Sequence, residues 1–108
     1  MDTEIAESVA QVLKAVAHPI RLQIIETLEP GEMCVGNIVD VVKHPQAIVS
    51  QQLLLMKDKG VLDSRREGTN VYYHIKNKNV INLLHCVYKN CNPDLSKNEL
   101  IQSERNSA

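Results

Sequence analysis

This chain has no phenylalanine and no tryptophan, and only three tyrosines among its 108 residues. A core without large rings must be filled by Leu, Ile and Val, which favours helices packed through aliphatic ridges. Long apolar runs are also missing. None approaches the about 18 to 20 residues that span a bilayer, so no membrane partner is expected. The opening Met1-Asp2-Thr3-Glu4 is acidic, unlike a signal or transit peptide. A cytoplasmic setting is therefore expected, with the three cysteines reduced. No Ser/His/Asp grouping, Gly-rich phosphate loop or carboxylate pair stands out, and so short a chain hardly provides a hydrolase cleft. Neither an enzyme nor a bound cofactor is expected.

The net charge of −1 argues against a bulk polyanion binder, but its distribution is uneven. Residues 1–42 carry two basic side chains, Lys14 and Arg21, against seven acidic ones, a net charge of −5. Residues 43–76 carry six basic side chains against Asp58, Asp63 and Glu67, a net charge of +3. The basic excess belongs on a phosphate-facing side, and the acidic half away from it. A length of 108 residues supports one small domain whose thin aliphatic core is expected to share apolar surface with a second copy.

From Glu4 to Ala17, the apolar residues Ile5, Val9, Val12, Leu13 and Val16 recur at helical spacing. His18-Pro19 interrupts that helix, and Pro19 suits the first turn of another that runs to about Leu28. Its inward face is Ile20, Ile24, Ile25 and Leu28. After the Glu29-Pro30-Gly31 turn, a short helix from Val35 to Val42 points Ile38, Val41 and Val42 inward. Lys43-His44-Pro45 breaks the chain before a helix from Gln46 to Lys59, whose core residues are Val49, Leu53 and Met56. Gln46, Ala47, Ser50, Gln51 and Leu54 share another face. Amides and a hydroxyl there suit base edges in a major groove, whereas Leu54 is unexpected. Two strands follow across Arg65-Arg66-Glu67-Gly68-Thr69-Asn70, with Val71, Tyr73 and Ile75 alternating toward the core. A last helix, Asn77 to Cys91, carries an apolar stripe too wide for one small domain to cover. Together with the first helix it reads as a dimer interface.

The order of elements predicts a mainly α chain with a two-stranded β-wing. This is a winged helix-turn-helix of five helices acting as a homodimer. Residues 1–92 form the DNA-binding and dimerisation domain, and 93–108 a polar tail. His18 reads as structural, His44 as a candidate phosphate contact, and His74 and His85 as surface or interface residues.

The segment from Leu13 to Leu22, the Val49-Ser50-Gln51-Gln52-Leu53 run, Arg65-Arg66-Glu67-Gly68 and Val71-Tyr72-Tyr73 resemble the ArsR/SmtB family of bacterial repressors. The match covers about residues 5 to 91, with several separate signatures in order. The resemblance implies a homodimeric winged helix that represses its operon until a metal, metalloid or thiol-reactive effector weakens DNA binding. It implies base contact with double-stranded operator DNA from the face holding Gln46, Ala47, Ser50 and Gln51, and at least one of Gln51 and Gln52 is expected on a base or a phosphate. It also implies wing contact from Arg65, Arg66 and Asn70. Two identical recognition helices about 34 Å apart would read an inverted repeat.

The effector stays open between two classes. Arsenic-sensing members carry Cys-Val-Cys, but here Cys34-Val35-Gly36 keeps only the first thiol. Zinc and cobalt sensors use histidine pairs on the last helix, which offers His85 alone, and the about four ligands of a zinc site do not assemble. Persulfide-sensing members have a cysteine near the end of the last helix, which Cys91 matches. Their second cysteine lies in the second helix, for which Cys34 is the only substitute. Cys34 and Cys91 are therefore the candidate sensing residues for a reactive sulfur species or oxidant, with Cys86 reading as a packing residue. The alternatives are a metal- or metalloid-responsive repressor using the same cysteines, and a dimeric interaction module that does not bind DNA.

Overall fold

Asp2 and His18 open the first two helices. The Asp2 carboxylate accepts from the Ile5 amide at 2.8 Å, and His18 Nδ1 accepts from the Ile20 amide at 3.1 Å. Each side chain satisfies a donor that the first helical turn leaves without a partner. The computed structural model describes residues 1–91, Cys91 by its backbone alone. The elements are α1 (Thr3–Val16), α2 (Pro19–Leu28), β1 (Met33–Cys34), α3 (Val35–Val42), α4 (Gln46–Asp58), β2 (Leu62–Glu67), β3 (Asn70–Ile75) and α5 (Asn79–Cys91). They fall into two compact units, Met1–Lys78 and the segment from Asn79 onward.

Within the first unit, Ile24 and Ile25 of α2, Ile38 of α3, and Val49, Leu53 and Met56 of α4 are completely buried. Val61, Leu62, Tyr73 and Ile75 close the core from the sheet side. Each such aliphatic side chain contributes about 1.5–3 kcal/mol by leaving water. Helix α4 stops where Gly60 takes φ 80°. The Gly60 amide bonds the Lys57 carbonyl at 3.0 Å, and the Val61 amide bonds that of Met56 at 3.0 Å. This is the left-handed closure that glycine makes without strain, and it turns the chain directly into β2.

The sheet has the order β1-β3-β2, antiparallel throughout. Glu67 pairs with Asn70, leaving Gly68-Thr69 as a two-residue hairpin turn with Gly68 at φ 63°. The two wing strands lie where the alternation predicts them. The sequence pattern does not reveal the third strand, because two residues carry no period; Met33 pairs with Tyr73 and Cys34 with Tyr72.

The helices match their predicted positions to within two residues. The last one begins at Asn79 rather than Asn77, and Pro45 sits just before α4 as its N-cap. One core assignment is corrected: Val41 is 55% exposed. Helix α3 buries the stripe centred on Val35, Ile38, Val39 and Val42, and at 100° per residue Val41 lies about 110° from that centre. Ile20 is half-buried. Ile5, Val9 and Leu13 of α1 are exposed, as a face awaiting a partner requires. In the second unit, Leu83, Val87 and Tyr88 of α5 are exposed apolar side chains. No described helix is long and apolar enough to cross a membrane. Residues 92–108, including the expected polar tail, lie outside the described residues.

Candidate nucleic-acid interface

Helices α3 and α4 form the helix-turn-helix. The turn between them passes through Lys43 at φ 57° and ψ 44°, the left-handed region, with its amide still bonded to the Val39 carbonyl at 2.9 Å. His44 is tied to α2 through Nε2, 3.1 Å from Gln23 Oε1. Pro45 then starts α4, its carbonyl accepting from Ile48 and Val49 at 3.0 Å each.

Burial of Val49, Leu53 and Met56 fixes which side of α4 faces out. Gln46, Ala47 and Gln51 are exposed and Ser50 half-buried, so these four occupy the outward side together. Leu54 continues that side, 60% exposed. Gln52 is different. It is half-buried, and its side-chain oxygen accepts from Arg21 Nε at 2.7 Å. Its partner lies 31 residues away, so no local pattern announces the contact.

The two wing arginines also part ways. Arg65 Nε bonds the two oxygens of Glu32 at 3.1 and 3.0 Å, and its Nη1 bonds Glu67 at 2.7 Å. Its guanidinium stacks 4.5 Å from the centre of the Tyr72 ring. The Arg65 hydrogen bonds hold the Glu32 carboxyl below its ordinary value, and Glu32, then Glu67, pushes Arg65 further up. Arg66 is exposed and makes no ion pair among the described residues. Asn70 stands exposed opposite Glu67 at the wing tip.

Cys34 is half-buried at the junction of β1 and α3, and Cys86 is exposed on α5. Of the Cys91 side chain nothing is described. Among the described residues, no group of three His, Cys, Asp or Glu side chains is placed to hold a metal ion.

Residues 18–64, which run from the start of α2 into β2, match the family described as bacterial regulatory protein, arsR family. An uncharacterised HTH-type transcriptional regulator of Methanocaldococcus jannaschii is 38% identical over 82 residues, covering 75% of this chain and 92% of that protein. The biofilm growth-associated repressor of Agrobacterium fabrum is 35% identical over 83 residues, covering 77% and 71%. Among solved structures, the homodimeric winged helix-turn-helix DNA-binding domain Mb0332 from Mycobacterium bovis superposes with a TM-score of 0.73. It is 33% identical, with 87% of each chain covered. With its fold, its helix-turn-helix and these relatives in agreement, the chain belongs to the arsR family of DNA-binding bacterial regulatory proteins.

Proposed function

We propose that this regulator represses transcription by binding an inverted-repeat operator as a homodimer and leaves the DNA when an effector acts on its cysteines. The observation that carries the reading is the outward side of α4. Gln46 and Gln51 have no side-chain hydrogen-bond partner among the described residues, and Ala47 and Ser50 lie beside them. Amides that are free in the protein can pair with base edges without first breaking an internal bond. Arg66 and Asn70 of the wing supply backbone contacts that hold register and carry no sequence information. The exposed faces of α1 and α5 provide the apolar surface for a second copy.

Cys34 is the thiol best placed to affect DNA binding. It ends β1, occupies the N-cap position of α3 without a side-chain capping bond, and sits opposite Tyr72 in the wing sheet. Cys91 is the second thiol in this reading. A polysulfide would oxidise the pair, taking two electrons and two protons, shortening its own chain and releasing hydrogen sulfide. The test is fluorescence anisotropy of the reduced chain on its own upstream DNA, before and after inorganic polysulfide. Tight binding lost on treatment, and retained by Cys34→Ser, supports the thiol sensor. Binding that polysulfide leaves untouched removes that effector and turns the search to metals and metalloids.

A further inference from the structure

Between α4 and the wing runs a groove of about 340 Å³ lined by Leu54, Lys57, Ser64, Arg65, Arg66, Val71 and Tyr73, with Arg65 already ion-paired to Glu32 and Glu67. Its chemistry is divided. Leu54 and the half-buried Val71 give apolar surface, and Leu54 is among the most exposed large apolar side chains of α4. Lys57 stands on the helix side and Arg66 on the wing side. No carboxylate is among the lining residues. Lys57 Nζ donates to the Ser64 hydroxyl at 2.7 Å, a neutral partner that steers the ammonium and leaves its charge uncompensated.

We infer that this groove seats one sugar-phosphate strand of the operator, with Lys57 on a phosphate and Leu54 against the adjoining deoxyribose. The inference rests on the DNA reading above and adds two residues to it. Three observations favour this occupant. Ser50, Leu54 and Lys57 lie at i, i+4 and i+7, so the groove continues the outward side of α4 by two turns. A strand leaving the major groove therefore passes directly over it. Of the three lining cations, Lys57 and Arg66 make no ion pair among the described residues, and they flank an apolar surface, matching a polymer with charged phosphates on either side of an apolar sugar. The position also gives Leu54, 60% exposed, an apolar surface to cover: the face of a sugar ring.

The test is anisotropy of the full chain on its own upstream DNA, with single phosphates replaced one at a time by neutral methylphosphonates. Lys57→Gln is expected to weaken binding equally on all operator variants and to lower the slope of log K against log salt by about 0.9. The wild-type advantage then shrinks about threefold between about 50 and 200 mM salt. One methylphosphonate position should weaken the wild type and leave Lys57→Gln unaffected, and Lys57→Arg should restore the slope. Leu54→Gln should lower affinity with the slope unchanged. An unaltered slope in Lys57→Gln, or the absence of any phosphate coupled to it, overturns the proposal. A wild-type chain that binds no upstream fragment overturns the DNA reading and the groove with it. A wild type that binds while Lys57→Gln behaves identically overturns the groove alone.

Discussion

Arg21 Nε donates to the side-chain oxygen of Gln52 across 2.7 Å, while its Nη1 donates to the Lys14 carbonyl at 3.1 Å. One guanidinium thus joins the end of α1, the start of α2 and the middle of α4. Gln52 is held inside this link while Gln51 beside it is exposed, so Gln52 is expected to position α4 and Gln51 to read bases. Gln52→Ala should cost about 1 kcal/mol of stability, a melting decrease of roughly 4–8 °C in a domain of this size, with base preference retained. The Arg21→Ala, Gln52→Ala double variant should lose less than the sum of the single losses. Gln51→Ala should leave stability unchanged and alter the ranking of operator variants in competition binding. The opposite pattern would exchange the two roles.

The Glu32–Arg65 pair gives a pH signature. Glu32 is held below its ordinary 4.5, first by the Arg65 hydrogen bond. A carboxyl depressed in the folded state stabilises the fold fully above its unfolded value, and that contribution fades as pH falls through the folded value. The melting-temperature advantage of wild type over Glu32→Gln should therefore be level from neutral pH down to about 5, shrink below 4.5, and vanish in stronger acid. Because the pair is solvent-exposed, added salt should shrink it as well. A difference that grows on acidification would show that Glu32 is stabilised in its neutral form instead.

Arg65 and Arg66 are adjacent but should differ in binding assays. Arg66→Ala is expected to reduce the salt slope by about 0.9, the effect of one lost phosphate contact. Arg65→Ala should change the slope less, since its charge is already answered by Glu32 and Glu67. Equal slope changes would mean that DNA draws Arg65 away from both carboxylates.

Lys43 occupies a left-handed conformation that costs a side-chain-bearing residue about 1–2 kcal/mol. Glycine removes that strain and loses part of the gain to its freer unfolded chain. Lys43→Gly should stabilise the protein by about 0.5–1 kcal/mol in urea unfolding at an unchanged m-value. A loss of stability would show that the Lys43 side chain contributes contacts worth more than the strain.

Much of this arrangement is legible in the sequence because it is periodic. Val49, Leu53 and Met56 at helical spacing orient α4 and thereby determine that Gln46, Ala47 and Gln51 face outward. Tyr73 and Ile75 in alternation do the same for the wing, and His18-Pro19 marks a helix start through local geometry. What is not legible depends on contacts between residues distant in the chain. Glu32 and Arg65 are 33 residues apart, and Cys34 lies still further along the chain from its cross-strand partner Tyr72. Nothing near Gln52 indicates that Arg21 takes it. Leu54 could be placed on the outer side of α4 by counting turns, but a role for it emerges only when Lys57 and Arg66 are seen across one groove. The outward placement of Val41 is not legible because an eight-residue helix offers too few turns to locate the centre of its buried stripe.

The most direct test of the account is a hydroxyl-radical footprint of the reduced chain on its own upstream DNA. Two protected patches related by a two-fold axis, with centres about 34 Å apart along the helix and both lost on Gln51→Ala at matched concentration, are the predicted result. A single unsymmetrical patch, or protection that Gln51→Ala leaves unchanged, would contradict a paired reading of DNA by α4.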